Sequence, residues 1–143
     1  MNVKNSKKYL IFLIIIVTGI FMIIYNPLLH GYLPIFNDIG ADTYNQNYVT
    51  NIYIRSQLSH GNIFNYDLNY GLGTNSFNLL YLNLFQLIYY FVPTAYMGLA
   101  MAFGSYLCVL FSAIFSFYIF KYFKMEDHAS VICGILWAFS GFI

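Results

Sequence analysis

A long stretch without any charged residue follows the N-terminus of this chain. No Asp, Glu, Lys or Arg occurs between Lys8 and Asp38, and most of residues 9–30 are apolar. An α-helix needs about 20 apolar residues to cross the roughly 30 Å hydrocarbon core of a bilayer. The stretch from Tyr9 to His30 therefore predicts a first membrane span.

The composition of the whole chain agrees with a membrane location. Of its 143 residues, 60% are hydrophobic and only 8% are charged, whereas soluble domains carry about 25% charged residues. Because so few charges cannot cover a water-facing surface, we interpret the chain as an integral membrane protein. The net charge of +1 gives no indication of a nucleic-acid partner.

The lysines before the first span predict its orientation. Lys4, Lys7 and Lys8 precede the apolar run, and positive residues favour the cytoplasmic side of a membrane. A signal peptide is the alternative interpretation, but no A-x-A-like cleavage site follows. We expect an uncleaved anchor with a cytoplasmic N-terminus.

The segment 31–76 then forms a long extracytoplasmic loop. Between Thr43 and Ser59, tyrosine and aliphatic side chains recur at spacings of three and four residues, which predicts an amphipathic helix at the membrane surface. Asp42 or Thr43 can cap its start, and Gly61 suits its C-terminal end.

Two layouts fit the next part of the chain. The segment 77–92 is apolar but interrupted by amide side chains, and it is short for a span. If it crosses the membrane, Lys121 and Lys124 lie outside. If it is interfacial or re-entrant, the run 96–120 crosses inward and both lysines face the cytoplasm. The enrichment of Lys and Arg in cytoplasmic loops favours the second layout.

A third apolar run, from Ala129 to Ile143, predicts a truncated span. At about 1.5 Å per residue, its fifteen residues cover roughly 22 Å of the hydrocarbon core. We expect the sequence to be the N-terminal part of a longer chain and to lack activity by itself. The predicted fold class is an all-α polytopic membrane protein whose first loop carries interfacial helices.

Asp38 and Asp42 are the first candidates for chemistry. They lie four residues apart just after the first span, so they share a face if that segment is helical. Such a pair can hold a divalent cation or remove a proton from an acceptor hydroxyl. The structural alternatives are a helix cap for Asp42 and an Asx turn for Asp38.

Arg55 and His60 are candidates for substrate binding. Arg55 is the only Lys or Arg in the loop 31–76, and its guanidinium suits a phosphate. It can equally pair with Asp67 or rest on the surface. His60, just before Gly61, fits either a C-terminal helix cap or a substrate contact.

Other polar and thiol side chains give weaker signals. Asn83, Gln86 and Tyr90 share one helical face, which suits a headgroup or sugar site or, more simply, structural hydrogen bonds. Cys108 and Cys133 fall inside apolar segments and predict small hydrophobic packing residues. No metal-ligand spacing, nucleotide-binding motif or hydrolase motif occurs, so the sequence predicts no metal site and no soluble-enzyme mechanism.

The order of several motifs resembles a known family. GADTYNQNY (40–48) follows the first span, then come GNIFNYDLNYGLGTN (61–75), FVP (91–93) and LWAFSGF (136–142). This order is similar to that at the N-terminus of the YfhO family of bacterial membrane proteins, which looks like the GT-C class of glycosyltransferases. The resemblance implies a multi-pass protein of the bacterial cytoplasmic membrane.

The resemblance also implies an activity and its residues. The donor would be a polyprenyl-phosphate-linked sugar, and the acceptor a cell-envelope polymer such as lipoteichoic acid. Asp42 would be the catalytic base, and Asp38 a second candidate base or a metal ligand. Gln46, Arg55 and His60 would be substrate-binding residues. No cofactor is implied, and the sequence G-A-D, in place of the adjacent acids of many GT-C loops, argues against a metal ion.

Two other functions fit a multispan protein of this kind. A transporter tends to place charged residues at mid-membrane, but 9–30 and 96–120 contain no acidic or basic residue apart from His30 at one end. A non-catalytic scaffold for envelope assembly differs from an enzyme in tolerating the loss of Asp42. Membrane lipids are expected partners in every case.

Overall fold

The fold is mostly helical and divides into two compact units. One unit, here called the helical unit, comprises Met1–His30 and Ser105–Ile143. The other, the loop unit, comprises Gly31–Gly104. The computed structural model describes residues 3–30, 43–62, 66–68, 73–75 and 84–140.

The described residues are mostly α-helical. The α-helices are α1 (Val3–Ile24), α2 (Asn26–Leu29), α3 (Val49–Ser59), α4 (Leu87–Phe91), α5 (Met97–Tyr122) and α6 (Asp127–Ala138). A π-helical turn, Thr43–Tyr48, leads into α3, and a 3-10 turn, Thr94–Tyr96, leads into α5. Two short antiparallel strands, β1 (Tyr66–Asp67) and β2 (Thr74–Asn75), pair within the loop unit.

Two of the helices are long and apolar enough to cross a membrane. Among the described residues they are Ser6–Ile24, with 19 residues, and Thr94–Tyr122, with 29. The first predicted span runs from 9 to 30, whereas α1 ends at Ile24 and the short helix α2 follows it. Pro27 explains the break, because its ring lacks an N–H and clashes with a carbonyl one turn earlier.

The third predicted span corresponds to a shorter helix. α6 has 12 residues, from Asp127 to Ala138, and is therefore about 18 Å long. It begins two residues before the predicted start at Ala129, because Asp127 suits the positive N-terminal end of a helix. Residues 141–143 lie outside the described residues.

Three helices share the core of the helical unit. Its buried side chains are Leu13, Val17, Ala113, Phe117, Val131 and Ala138. α6 lies close to α5 at Gly134, where an added Cβ atom would lie 3.1 Å from the Ala113 carbonyl oxygen. Small residues at such crossings let helix backbones come together without a strong hydrophobic force between them.

α1 and α5 run in opposite directions. Leu13 of α1 shares the core around Gly134 with Ala113 and Phe117 of α5, whereas the hydroxyl of Thr18, further along α1, lies 2.9 Å from that of Tyr106, nearer the start of α5. The C-terminal end of α1 therefore lies beside the N-terminal part of α5. At the other end, the rings of Tyr9 in α1 and His128 in α6 are 6.5 Å apart, so α6 runs parallel to α1.

The turn between α5 and α6 lies at the lysine-bearing end of this unit. Lys124 adopts φ 61°, and the Met125 N–H donates to the Phe120 carbonyl at 3.1 Å, which is the geometry of a Schellman motif. The Lys121 ammonium lies 2.6 Å from an Asp127 carboxylate oxygen. The turn thus lies between Tyr122, where α5 ends, and Asp127, where α6 begins.

The loop unit has its own small core. Its buried side chains are Ile54, Tyr89, Tyr90, Met97 and Ala100. They come from α3, α4 and the start of α5, and α3 packs directly against α4. The helix that carries the candidate binding residues is therefore fixed against the first turns of a membrane-length helix.

Candidate functional site

The two candidate acids, Asp38 and Asp42, lie outside the described residues. Their predicted roles therefore stay predictions. Asp42 immediately precedes Thr43, where the described helix begins. The structure describes the helical segment Thr43–Ser59 that follows Asp42 in the chain, here called the support.

That support begins with an unusual helical turn. Residues Thr43–Tyr48 are π-helical and continue directly into α3, which ends at Ser59. Helical structure thus covers the range predicted from the spacing of apolar residues, although the π geometry of its start was not predicted. Single π turns are rare and often occur at functional sites. Gln46 lies within this turn and is exposed.

Arg55 is fixed by one short hydrogen bond. Its Nε–H donates to the carbonyl of Val92 at 2.7 Å, and the side chain is partly buried. Val92 is the C-cap residue of α4 with ψ 141°, because the residue before a proline disfavours helical geometry. Because α4 ends at this point, no N–H of a following helical turn bonds to the Val92 carbonyl. The carbonyl accepts its hydrogen bond from Arg55 instead.

The neighbour of Arg55 secures this arrangement. Ile54 is fully buried and packs in the core formed with Tyr89 and Tyr90 of α4. Arg55 makes no ion pair with another described residue. The alternative pairing with Asp67 concerns a side chain outside the described part of the chain.

His60 ends the helix, in the capping role that the sequence suggests. It is the C-cap residue of α3, and its Nδ1–H donates to the Ser56 carbonyl at 2.7 Å. Gly61 follows with φ +72°, the left-handed conformation that favours glycine at this position. His60 is exposed, so its ring edge also faces solvent.

The three described candidates do not converge on one point. Among the described residues, Gln46, Arg55 and His60 share no hydrogen bond with one another. Arg55 and His60 are five residues apart, which separates them by about 140° around an α-helix. No group of His, Cys, Asp and Glu in the described residues could hold a metal ion.

Two features of the loop unit were missed from the sequence. The ring of Tyr89 packs against α5 at Gly104. A Cβ atom added to Gly104 would come within 2.8 Å of that ring. The backbone partner of Arg55 was also missed, although the dipeptide Val92–Pro93 signals a helix end whose carbonyl needs a donor.

Gln86 carries a polar atom without a partner. Its Oε1 is buried and accepts no hydrogen bond in the described part of the chain. Gln86 precedes Leu87 as the N-cap residue of α4 without capping it through its side chain. Of the predicted polar face, Asn83 lies outside the described residues.

The chain was compared with known protein families, curated proteins and solved structures. None of these comparisons found a match. The resemblance to the YfhO family therefore stays a prediction.

Proposed function

We propose that this chain belongs to a membrane glycosyltransferase that uses a polyprenyl-phosphate-linked sugar. The acceptor is a polymer of the cell envelope, such as lipoteichoic acid, and the reaction takes place at the outer membrane face. Asp42 is the catalytic base. The observation that supports the proposal is the antiparallel packing of α1 and α5, because the segment containing Asp42 lies between these two helices in the chain.

The antiparallel packing bears on the two layouts of the chain. A segment 77–92 that crossed the membrane would make α1 and α5 run in the same direction. Leu13 lies with Ala113 in the core, whereas Tyr25 lies beside Ser105. These positions indicate opposite directions, which supports the layout in which 77–92 does not cross. Residues 31–104 then join the two helix ends that lie away from the lysines.

The distribution of positive charge supports the orientation. Lys7 and Lys8 lie at the start of α1, and Lys121 and Lys124 lie at the end of α5. The contact between Tyr9 and His128 brings these two ends together. Lysines at one end of a helix pair favour the cytoplasm there, so the loop with Asp42 faces outward.

The proposed reaction suits a carboxylate at the headgroup level. Asp42 takes the proton from an acceptor hydroxyl as that oxygen bonds to the anomeric carbon of the donor sugar. The bond from that carbon to the lipid phosphate oxygen breaks, and the polyprenyl phosphate leaves with the electron pair. No nucleotide is consumed, which suits the outer surface of a membrane.

The helical support gives Asp42 a fixed neighbour. The π turn Thr43–Tyr48 follows it at once, and Ile54 and Arg55 attach the same helix to α4. Since catalysis by a base requires its placement within about 0.5 Å of the productive geometry, a rigid element beside it is favourable.

The proposal is tested by sugar transfer in membranes that contain the protein. Polyprenyl-phosphate donor with a labelled sugar is supplied together with envelope polymer. We expect Asp42→Asn to lower transfer by about 10²-fold or more while protein abundance stays unchanged. Asp67→Asn, a carboxylate in the same loop, is the matched control and should retain activity. Transfer by Asp42→Asn at the wild-type rate would refute the catalytic role and favour a scaffold.

A further inference from the structure

We infer that the lysine-bearing end of the helical unit binds the headgroup of an anionic phospholipid through Lys7, Lys8 and Lys124. This surface, here called the basic end, consists of the start of α1 and the turn between α5 and α6. The inference is independent of the proposed function, because no residue of the proposed reaction takes part in it.

The backbone conformation of Lys124 is the observation that points to a ligand. Its φ of 61° makes it the only residue other than glycine with positive φ in the described part of the chain. It occupies the position of the Schellman motif where glycine is favoured, since the Lys124 N–H donates to the Lys121 carbonyl at 3.0 Å. A side chain in the left-handed region costs stability that glycine would keep, and such costly conformations are common at functional sites.

The acidic side chains of this turn do not cancel its positive charge. The Lys121 ammonium lies 2.6 Å from an Asp127 carboxylate oxygen, so this pair is neutral. The remaining acid, Glu126, is exposed and lies 2.8 Å from Nε2 of His128. Even with Glu126 counted as a full negative charge, three exposed lysines at 7, 8 and 124 leave the described part of the basic end positive.

Contacts within the helical unit bring these lysines to one end. The ring of Tyr9 lies 6.5 Å from that of His128, so the start of α1, with Lys7 and Lys8, lies beside the start of α6. Lys124 lies in the turn that leads into α6. Basic side chains from neighbouring ends of membrane helices form the kind of site that holds an anionic lipid headgroup.

Exposed aromatic side chains beside Lys124 indicate that the anion belongs to a lipid. Tyr122 and Phe123 are 84% and 69% exposed, and Tyr122 ends a helix long enough to cross a membrane. Aromatic side chains at such a place are typical of the headgroup level of a bilayer, where lipid phosphates lie. A small anion in solution would make no use of these apolar rings.

A purely structural role for Lys124 makes a different prediction. A cation near the C-terminal end of α5 interacts favourably with the helix dipole. If this were its whole role, Lys124→Gln would lower thermal stability and leave the affinity for an anionic lipid unchanged. Measuring affinity and stability on the same variants separates the two roles.

The experiment is calorimetric titration of the detergent-solubilised chain with dihexanoyl phosphatidylglycerol. We expect Lys124→Gly to weaken binding about fivefold, the contribution of one lysine near an anionic lipid surface. The same variant should raise the midpoint of thermal unfolding by about 2–4 °C, because glycine relieves the left-handed conformation. Lys124→Arg, which keeps the charge and the conformation, is the matched control and should bind as wild type does.

Two further ligands identify the source of the anion. Dihexanoyl phosphatidylcholine has the same chains without a net charge and should bind at least tenfold more weakly, and glycerol 3-phosphate should compete only at far higher concentration. Raising the salt concentration from about 0.1 M to about 1 M should reduce the preference for phosphatidylglycerol, because the Debye length falls from about 10 Å to about 3 Å.

Several results would overturn the inference. These are equal binding of the two lipids, a preference that salt leaves unchanged, effective competition by glycerol 3-phosphate, and wild-type affinity in Lys124→Gly. Should Lys124→Gly unfold in detergent, Lys124→Gln decides the result by the same fivefold criterion, since it also removes the charge.

Discussion

Replacing Gly134 with alanine tests the packing of the three helices in the helical unit. An added Cβ atom would lie 3.1 Å from the Ala113 carbonyl oxygen, 3.6 Å from Leu13 Cδ1 and 3.7 Å from the Phe117 amide nitrogen. The shortest contact is with helix backbone, which cannot rotate away as a side chain can. We therefore expect α6 to move away from α5 in Gly134→Ala.

A matched substitution isolates this packing effect. Gly19 also lies within a helix, and nothing occupies the space within 4 Å of its added Cβ. Glycine to alanine inside a helix gains about 1 kcal/mol from helix propensity at either position, and overpacking at Gly134 costs about 1–3 kcal/mol. The free energies of unfolding of the two variants should thus differ by about 1–3 kcal/mol, with Gly134→Ala the less stable.

The assay is unfolding by SDS in mixed micelles, followed by circular dichroism and tryptophan fluorescence. Trp137 is the only tryptophan in the sequence and lies on α6 with Gly134, so its emission reports on that helix. Equal unfolding free energies for Gly134→Ala and Gly19→Ala would refute the close crossing of α5 and α6.

Three further substitutions test other contacts. Gly104→Ala should destabilise the loop unit by about 1–3 kcal/mol because its Cβ would collide with the Tyr89 ring, and Tyr89→Leu in the same chain should recover part of that loss in the same unfolding assay. Gln86→Met should be neutral or stabilising in thermal unfolding, since it removes a buried oxygen that has no partner among the described residues; a loss above about 1 kcal/mol would mean that this oxygen is paired. Thr18→Val and Tyr106→Phe should show a coupling of about 0.6 kcal/mol in a double-mutant cycle, typical of hydrogen bonds between membrane helices, and zero coupling would contradict the bond.

Apolar residues at regular spacing and a glycine at a helix end made several elements predictable. The tyrosine and aliphatic spacing predicted helical structure from Thr43 to Ser59, and Gly61 marked its end. The lack of charge predicted two membrane-length helices. These features depend on local physics, in which burial of a face and the freedom of glycine act within a few residues.

Contacts between distant residues were not predictable in the same way. Arg55 was expected to bind a phosphate, pair with Asp67 or rest on the surface, but its observed partner is a backbone carbonyl, Val92, which is 37 residues away. Backbone carbonyls carry no sequence signature except where a following proline, here Pro93, leaves them without a donor. The pairing of Tyr89 with Gly104 likewise depends on tertiary packing.

The same difference between local features and long-range contacts applies to the candidate catalytic and binding residues. The spacing of Asp38 and Asp42 indicated a pair of acids but left capping and turn roles equally open. The capping role of His60 is confirmed. Its contact with a substrate stays a prediction, because it depends on a ligand and not on the helix itself.

The orientation of the two long helices underlies the whole account, and labelling of single cysteines measures it most directly. In a chain with Cys108 and Cys133 replaced by alanine, His60→Cys and Lys124→Cys place thiols at two exposed positions. With a membrane-impermeant maleimide on intact cells, the account predicts that His60→Cys reacts and that Lys124→Cys reacts only after the membrane is opened. Reaction of both from the same side, or of Lys124→Cys alone from outside, would contradict it.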